Sequence, residues 1–296
     1  MIDLLTSPLL ALSRIGAYAL LAVGIVAIYR ASKVLNLAHG AMALVPAYVA
    51  FSAAGWGLPA PAVLVVGILS GAAVGQLVER VFVRPLKRET STTQTVGTVA
   101  AFGVIVALTV RIWGAVPQQA AQIFPPGTAF RVGRTGVGWG EIGLLVVMLV
   151  VTAALFAVFR YTDLGLLMRG TAENQRAASL MGVNPQRITN LAWMLGGALA
   201  GLAGVLLAAV TTLNPFVLSL QALPAFVAAL IGGLESFPGA VVGGLIVGLA
   251  FGFVDLIPVI GTMDGAQQLV IGAVAIGAMA FRGSSGLAGA SMRSNQ

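Results

Sequence analysis

Long apolar runs separated by short polar or basic stretches recur from one end of the chain to the other. A helix needs about 20 apolar residues to cross ~30 Å of hydrocarbon. The pattern predicts nine such segments: Ile15–Tyr29, Gly40–Ala54, Pro61–Val78, Val96–Trp113, Ile142–Phe159, Ile188–Thr211, Ala222–Leu234, Gly239–Val254 and Gln267–Phe281. The seventh is short enough to be a broken or re-entrant helix. Two connections are longer than the rest. Residues 116–140 are rich in Pro and Gly and read as an irregular external loop. Residues 161–187 hold a polar helix too short to span, and residues 283–296 form a small, polar tail expected to be flexible. The expected fold class is all-α: a polytopic integral membrane protein of about 8–9 transmembrane helices, built as a single membrane-spanning domain over residues 1–296.

Composition narrows the function classes. Apolar residues make up 58% of the 296 residues and charged residues 8%, which leaves little chain for a soluble domain. The sequence has no cysteine, so disulfides, thiolate catalysis and Cys-based metal sites are excluded. No His/Asp/Glu cluster or Ser-His pair falls at span depth, so neither an enzyme, a metal site nor a cofactor is expected. Asp3 stands where a signal peptide would be basic, and Arg14 interrupts the first apolar run, so the first helix is expected to be retained.

Charge orients the spans. If the nine segments alternate, Arg30, Lys33, Arg80, Arg84, Lys87, Arg88, Arg160, Arg169, Arg176, Arg187, Arg282 and Arg293 share one side, and Arg14, Arg111, Arg131 and Arg134 lie opposite. The positive-inside rule makes the first side cytoplasmic, with the N-terminus out and the C-terminus in. Topology thus accounts for the net charge of +7 without a nucleic-acid partner. Glycines at four-residue spacing (67, 71 and 75; 197 and 201; 239 and 243; 244, 248 and 252) carve smooth helix faces that let backbones approach where lipid offers no hydrophobic drive.

The predicted span centres carry no ionisable group of the kind that binds a coupling ion, and no glycine-rich phosphate loop is present. A transporter of this kind would take its energy from another subunit. The polar helix offers the contact. Thr171 can cap it, Glu173 lies in the favoured first turn, and Gly182 can end it, giving about three turns from Thr171 to Gly182, within a connection of about 171–183. Ala177, Ala178, Leu180 and Met181 would form an apolar knob, and Glu173, Asn174, Gln175 and Arg176 a polar rim. Asn184 and Pro185 then open the next helix. By pattern alone, such a helix could equally lie on lipid headgroups, with Arg176 and Arg187 meeting phosphate.

Four stretches resemble bacterial branched-chain amino-acid ABC transporter permeases of the LivH/LivM family. These are RGTAENQRAASLMGVNPQRITNLAWMLGGALAGLAGVLLA (169–208), GAYALLAVGIVAIYRASKVLNLAHGAMALVPAYVAF (16–51), TQTVGTVAAFGVIVALTVRIWG (93–114) and ALPAFVAALIGGLESFPGAVVGGLIVGL (222–249). They follow the family's order, and the second is closer to LivH than to LivM. The resemblance implies a type II ABC importer permease fold with pseudo-repeated halves in the bacterial inner membrane, its short helix docked on an ATPase. It implies as partners two ATPase subunits, a second LivM-like permease or a second copy of the chain, an external solute-binding protein, membrane lipid and a small-molecule substrate, with ATP hydrolysed on the partners. Ala41 stands where the family usually has Glu, Leu37 where it has Phe, and Glu235 where it often has Gly. These departures keep a urea or short-amide permease open as the alternative cargo class, beside a non-transporting membrane scaffold.

Asn36–Gly40 and Gly232–Gly239 each join a short apolar segment to a Gly-rich helix, and matching breaks in two repeats often line a substrate route. Candidate path residues are therefore Asn36, His39 and Gly40, joined by Thr95, Thr98, Asn214 and Gln221. The alternative is structural: a lone His or Asn in a tight turn caps a helix end or bonds a neighbouring carbonyl.

Overall fold

The computed structural model describes residues 11–132, 135–254 and 269–277. Its helices are α1 (Leu12–Ser32), α2 (His39–Gly55), α3 (Ala60–Val78), α4 (Ser91–Trp113), α5 (Trp139–Tyr161), α6 (Asp163–Glu173), α7 (Gln175–Leu180), α8 (Pro185–Val210), α9 (Pro215–Leu220), α10 (Ala222–Gly232) and α11 (Phe237–Val254). A π turn, Glu79–Val83, and a 3-10 turn, Arg84–Leu86, prolong α3. The long apolar runs among the described residues are helical, as a bilayer demands when no water can satisfy the backbone. Six helical stretches are long and apolar enough to cross a membrane: Arg14–Ser32, Ala60–Leu86, Ser91–Trp113, Trp139–Tyr161, Pro185–Val210 and Pro215–Gly232. α2 and α11 are shorter. The ninth predicted span is described only over 269–277, which is helical, and Arg134, Arg282, Arg293 and the tail 283–296 lie outside the described residues.

α1 and α8 form the centre of the bundle, with 83% and 72% of their most apolar windows buried, whereas α3, α4 and α5 turn Leu69, Val96, Ile112 and Val150 outward. An outward face this apolar suits lipid rather than water. The glycine spacing explains how α3 reaches α8. A Cβ at Gly71 would overlap the Gly197 carbonyl, and one at Gly75 the Trp193 carbonyl, so the two backbones touch where side chains would hold them apart. Gly244 and Gly248 of α11 meet Ala19 and Ile15 of α1 in the same manner.

Three sequence expectations are corrected. The segment expected as an irregular loop at 116–140 contains an antiparallel hairpin, Thr128–Val132 with Thr135–Gly138, and a two-way backbone pairing of Gln118 with Leu213 pins the residues before it. α4 and α5 begin at Ser91 and Trp139, before their apolar runs start, because Thr90 caps α4 through Thr93 N–H (3.2 Å) and Trp139 follows directly on the hairpin. The seventh span is broken, as expected, but it begins at Pro215 rather than Ala222, running over α9 and α10 with the break between them. Pro224 has no N–H to offer the Leu220 carbonyl, and its ring crowds that carbonyl, which interrupts the helix at that turn.

Candidate functional site

The centre of the bundle is built from two interrupted segments that enter from opposite ends. After α1, residues 33–38 are not helical, and α2 does not start at the level of Ser32. Its first residue, His39, lies against Gly24, where a Cβ would come within 2.7 Å of the imidazole Nε2. Gly24 is eight residues, roughly 12 Å, back along α1 from Ser32. The chain therefore climbs into the bundle before α2 begins. From the other end, α9 descends to its break at Gln221. Gly40 is the meeting point: a Cβ there would overlap the Ser219 carbonyl and lie 2.9 Å from the Ala222 methyl. Only glycine lets these two ends close on each other.

Polar side chains hold this junction. Asn36 is buried; its Oδ1 accepts from Ala38 N–H (3.1 Å) and its Nδ2 lies 3.0 Å from Met42 Sδ. Thr98 of α4 accepts from Leu37 N–H (3.0 Å) and donates to the Thr95 carbonyl (2.6 Å), fastening the climbing segment to α4. Tyr18 Oη donates to Gln221 Oε1 (3.2 Å). His39 is fully buried, and neither ring nitrogen has a hydrogen-bond partner among the described residues. Asn214 sits apart, at the far end of α9, capping it through Phe216 and Val217 N–H. Asn36, His39, Gly40, Thr98 and Gln221 thus gather at the junction, Thr95 supports Thr98, and Asn214 does not join them.

An open groove of about 710 Å³ lies between α4 and α9, next to the junction. Phe102, Val106, Val110, Phe216 and Leu220 line it, together with Ser219 and Arg111. Such a lining binds by apolar contact with few fixed polar groups. The sequence patterns passed over Ser219 and Phe216; Pro224, placed to break the helix, was the signal that could have found them.

The second candidate turn, Gly232–Gly239, takes another role. α10 ends at Gly233 (φ +91°), and Gly232 packs on the Gly239 backbone, forming a tight hairpin rather than a second break inside the bundle. It meets the first turn through an ion pair between Lys33 and Glu235. The Lys33 hydrogen bond, followed by its charge, holds the Glu235 carboxyl below its ordinary range.

At this same basic end, α6 and α7 present the other candidate surface. The predicted three-turn helix is corrected here. Thr171 is buried within α6, Glu173 is its last residue, and the break comes at Asn174 (φ −152°, ψ 98°). Asn174, not Thr171, is the cap, accepting from Ala177 N–H (2.9 Å), because its short amide competes with the helical backbone. α7 is left with six residues. Its end follows the expectation: Gly182 is left-handed (φ +83°), and Val183 N–H reaches the Ala178 carbonyl (3.1 Å), closing the turn. Asn184 then caps α8 through Gln186 and Arg187 N–H. The result is an apolar pair, Leu180 and Met181, each 84% exposed on a short rigid element.

A polar network that the sequence patterns did not single out ties this element to the bundle. Glu79, buried at the end of α3, pairs with Arg84 (2.9 Å) and accepts from Gln186 Nε2 (2.7 Å). Arg84 Nη2 and Gln186 Nε2 both reach Asn190 Oδ1, at 2.8 and 2.9 Å. Gln186 stands two residues past the Asn184 cap, so the network joins the start of α8, just after α7, to the end of α3 through hydrogen bonds.

Residues 7–279 match the family described as branched-chain amino acid transport system, permease component. The high-affinity branched-chain amino acid transport system permease protein LivH of Escherichia coli K12 is 31% identical over 254 residues, 79% of this chain and 80% of that protein. The corresponding permease protein BraD of Pseudomonas aeruginosa is 30% identical over 253 residues, 80% of this chain and 81% of its own. A probable LivH of Methanocaldococcus jannaschii is 28% identical over 244 residues, 78% of this chain and 75% of that one. No solved structure matches significantly.

Proposed function

This chain belongs to the family of branched-chain amino acid permease components, and from that premise we propose that it forms the membrane path for branched-chain or other apolar amino acids in an ATP-driven importer. It is a transport subunit of a multi-pass membrane assembly, with ATP hydrolysis on its partners. The observation that carries the cargo assignment is the apolar groove between α4 and α9, whose lining includes Ser219, the residue whose carbonyl packs against Gly40. An aliphatic side chain gains burial along Phe102, Val106 and Leu220, roughly 0.8 kcal/mol per methylene. The groove is open along one side, so a second permease, LivM-like or another copy, closes it into a path.

The basic end faces the cytoplasm, placing the N-terminus outside and the C-terminus inside. Two ATPase subunits dock there, on Leu180 and Met181, and a solute-binding protein delivers cargo at the opposite end. Closure of the ATPases shifts α7, the Glu79 network carries the shift into α3 and α8, and the junction at Gly40 opens or seals.

The test is leucine uptake by proteoliposomes holding the permeases, ATPases and binding protein. Uptake is expected to require ATP hydrolysis and to survive collapse of proton and sodium gradients. Gradient-driven uptake by this chain alone overturns the importer reading, and displacement of leucine by excess urea overturns the cargo.

A further inference from the structure

We propose that the pocket between α1, α5, α6 and the α10–α11 hairpin binds the phosphate of an anionic membrane lipid. The pocket, about 380 Å³, is lined by Arg30, Arg160, Arg169, Phe156, Glu235 and the α11 start, Ser236–Pro238. Three guanidiniums from three helices converge on it with one carboxylate, and that carboxylate is already paired with Lys33. Arg30 lies over the contacting Phe159 and Phe237 rings, with its guanidinium carbon 5.9 and 5.1 Å from their centres, and near enough to Arg169 for the two charges to repel. Arg169 is turned back to the Phe159 carbonyl. Arg160, one turn beyond Phe156 on α5, is exposed and makes no hydrogen bond or ion pair among the described residues.

An uncompensated cluster of this kind is held together by an anion, and guanidiniums match phosphate oxygens in charge and geometry. The α11 N-terminus adds its partial positive charge at Ser236–Pro238. Phe156 identifies the source of the phosphate. It is 44% exposed on the apolar outer face of α5, beside Val150 and Leu149, so the pocket opens onto the surface that acyl chains cover, with its charges at the polar edge. A diacyl phospholipid with a net negative headgroup satisfies both halves, and a free phosphate only one.

The test uses the full chain in detergent, titrated with phosphatidylglycerol, phosphatidylcholine or inorganic phosphate and read by native mass spectrometry. Phosphatidylglycerol is expected to bind at one site, about tenfold more tightly than phosphatidylcholine, and to resist millimolar inorganic phosphate. Arg160→Gln is expected to weaken it about fivefold to tenfold, with Arg160→Lys in between, while Arg131→Gln, on the hairpin at the opposite end, leaves it unchanged. Equal binding of phosphatidylcholine by the wild type, displacement by inorganic phosphate, or equal losses in Arg160→Gln and Arg131→Gln each overturns the proposal. The wild-type comparison needs no variant to fold.

Discussion

Glu79 is a carboxylate placed one residue beyond an apolar run and taken out of water, 1% exposed, by Arg84, Gln186 and Asn190. Burying a charge is costly unless every partner is present, and removing one leaves the others uncompensated. Glu79→Ala is therefore expected to cost about 2–3 kcal/mol, less than a fully buried pair because the Arg84 side chain is 30% exposed. Glu79→Gln, which keeps an acceptor for Gln186, is expected to cost about 1 kcal/mol. Thermal unfolding in detergent ranks the three proteins, and an unshifted midpoint for Glu79→Ala would show that the network does not hold α3 to α8. Glu235 is the contrasting case, an exposed carboxylate drawn down by Lys33. A depressed folded pKa stabilises above the ordinary carboxylate range, near 4.3, and that contribution disappears as pH falls through the folded value. Glu235→Gln is expected to unfold slightly earlier than the wild type at pH 7 and at the same temperature in acid, once the folded carboxyl is protonated. A gap that persisted in acid would mean that Lys33 was not its cause. Asn36 and Asn214 show how far residue-level expectation reached. Both were legible as polar groups in turns; Asn214 caps α9 away from the junction, and the place of Asn36 at the junction depended on α2 starting deep in the bundle.

At the scale of elements, the glycine spacing was the most legible signal, since small residues four apart admit a second backbone whichever helix supplies it. The identity of that partner, α8 for Gly71 and α1 for Gly244, was not legible because spacing carries no information on the facing helix. Helix starts were missed for a related reason: caps such as Thr90 and Asn174 act through side-chain hydrogen bonds that hydrophobic periodicity does not register. The short α7 was found and its cap misplaced by three residues, but its exposed tip followed directly from Gly182 and the apolar pair before it. If Leu180 seats in a dry groove of the ATPase, Leu180→Asp places an unpaired charge there, at a cost of a few kcal/mol. The expected outcome is loss of ATPase co-purification and of substrate-stimulated hydrolysis, with the chain still inserted in the membrane. A lipid-surface role for α7 predicts normal assembly instead. Unchanged hydrolysis in Leu180→Asp would remove α7 from the coupling route.

Across the whole molecule, the bundle has polar ends of unequal charge joined by apolar walls, and function depends on which end faces which compartment. The Lys33–Glu235 pair, the Glu79–Arg84 network and the exposed tip of α7 lie at one end, while the hairpin Thr128–Gly138 and the Gln118–Leu213 pairing lie at the other. Contacts between neighbouring helices fix this grouping, since α1 runs antiparallel to α8 and α11 along Gly24–Gly196 and Ala19–Gly244. They do not fix its direction across a membrane, because the packing is the same either way up. The proposed direction rests on charge, since short basic loops are enriched on the cytoplasmic side. The absence of cysteine from the sequence makes the arrangement directly measurable, because any introduced thiol is the only one present. Single cysteines at Lys87 and Ala178 are expected to react with a membrane-impermeant maleimide only in inverted vesicles, and one at Thr128 only in intact cells. An inversion of both patterns would place α7 outside, where no ATP is available, and would separate the exposed Leu180 tip from any ATPase. Labelling of all three from one side would contradict the alternation of the spans itself.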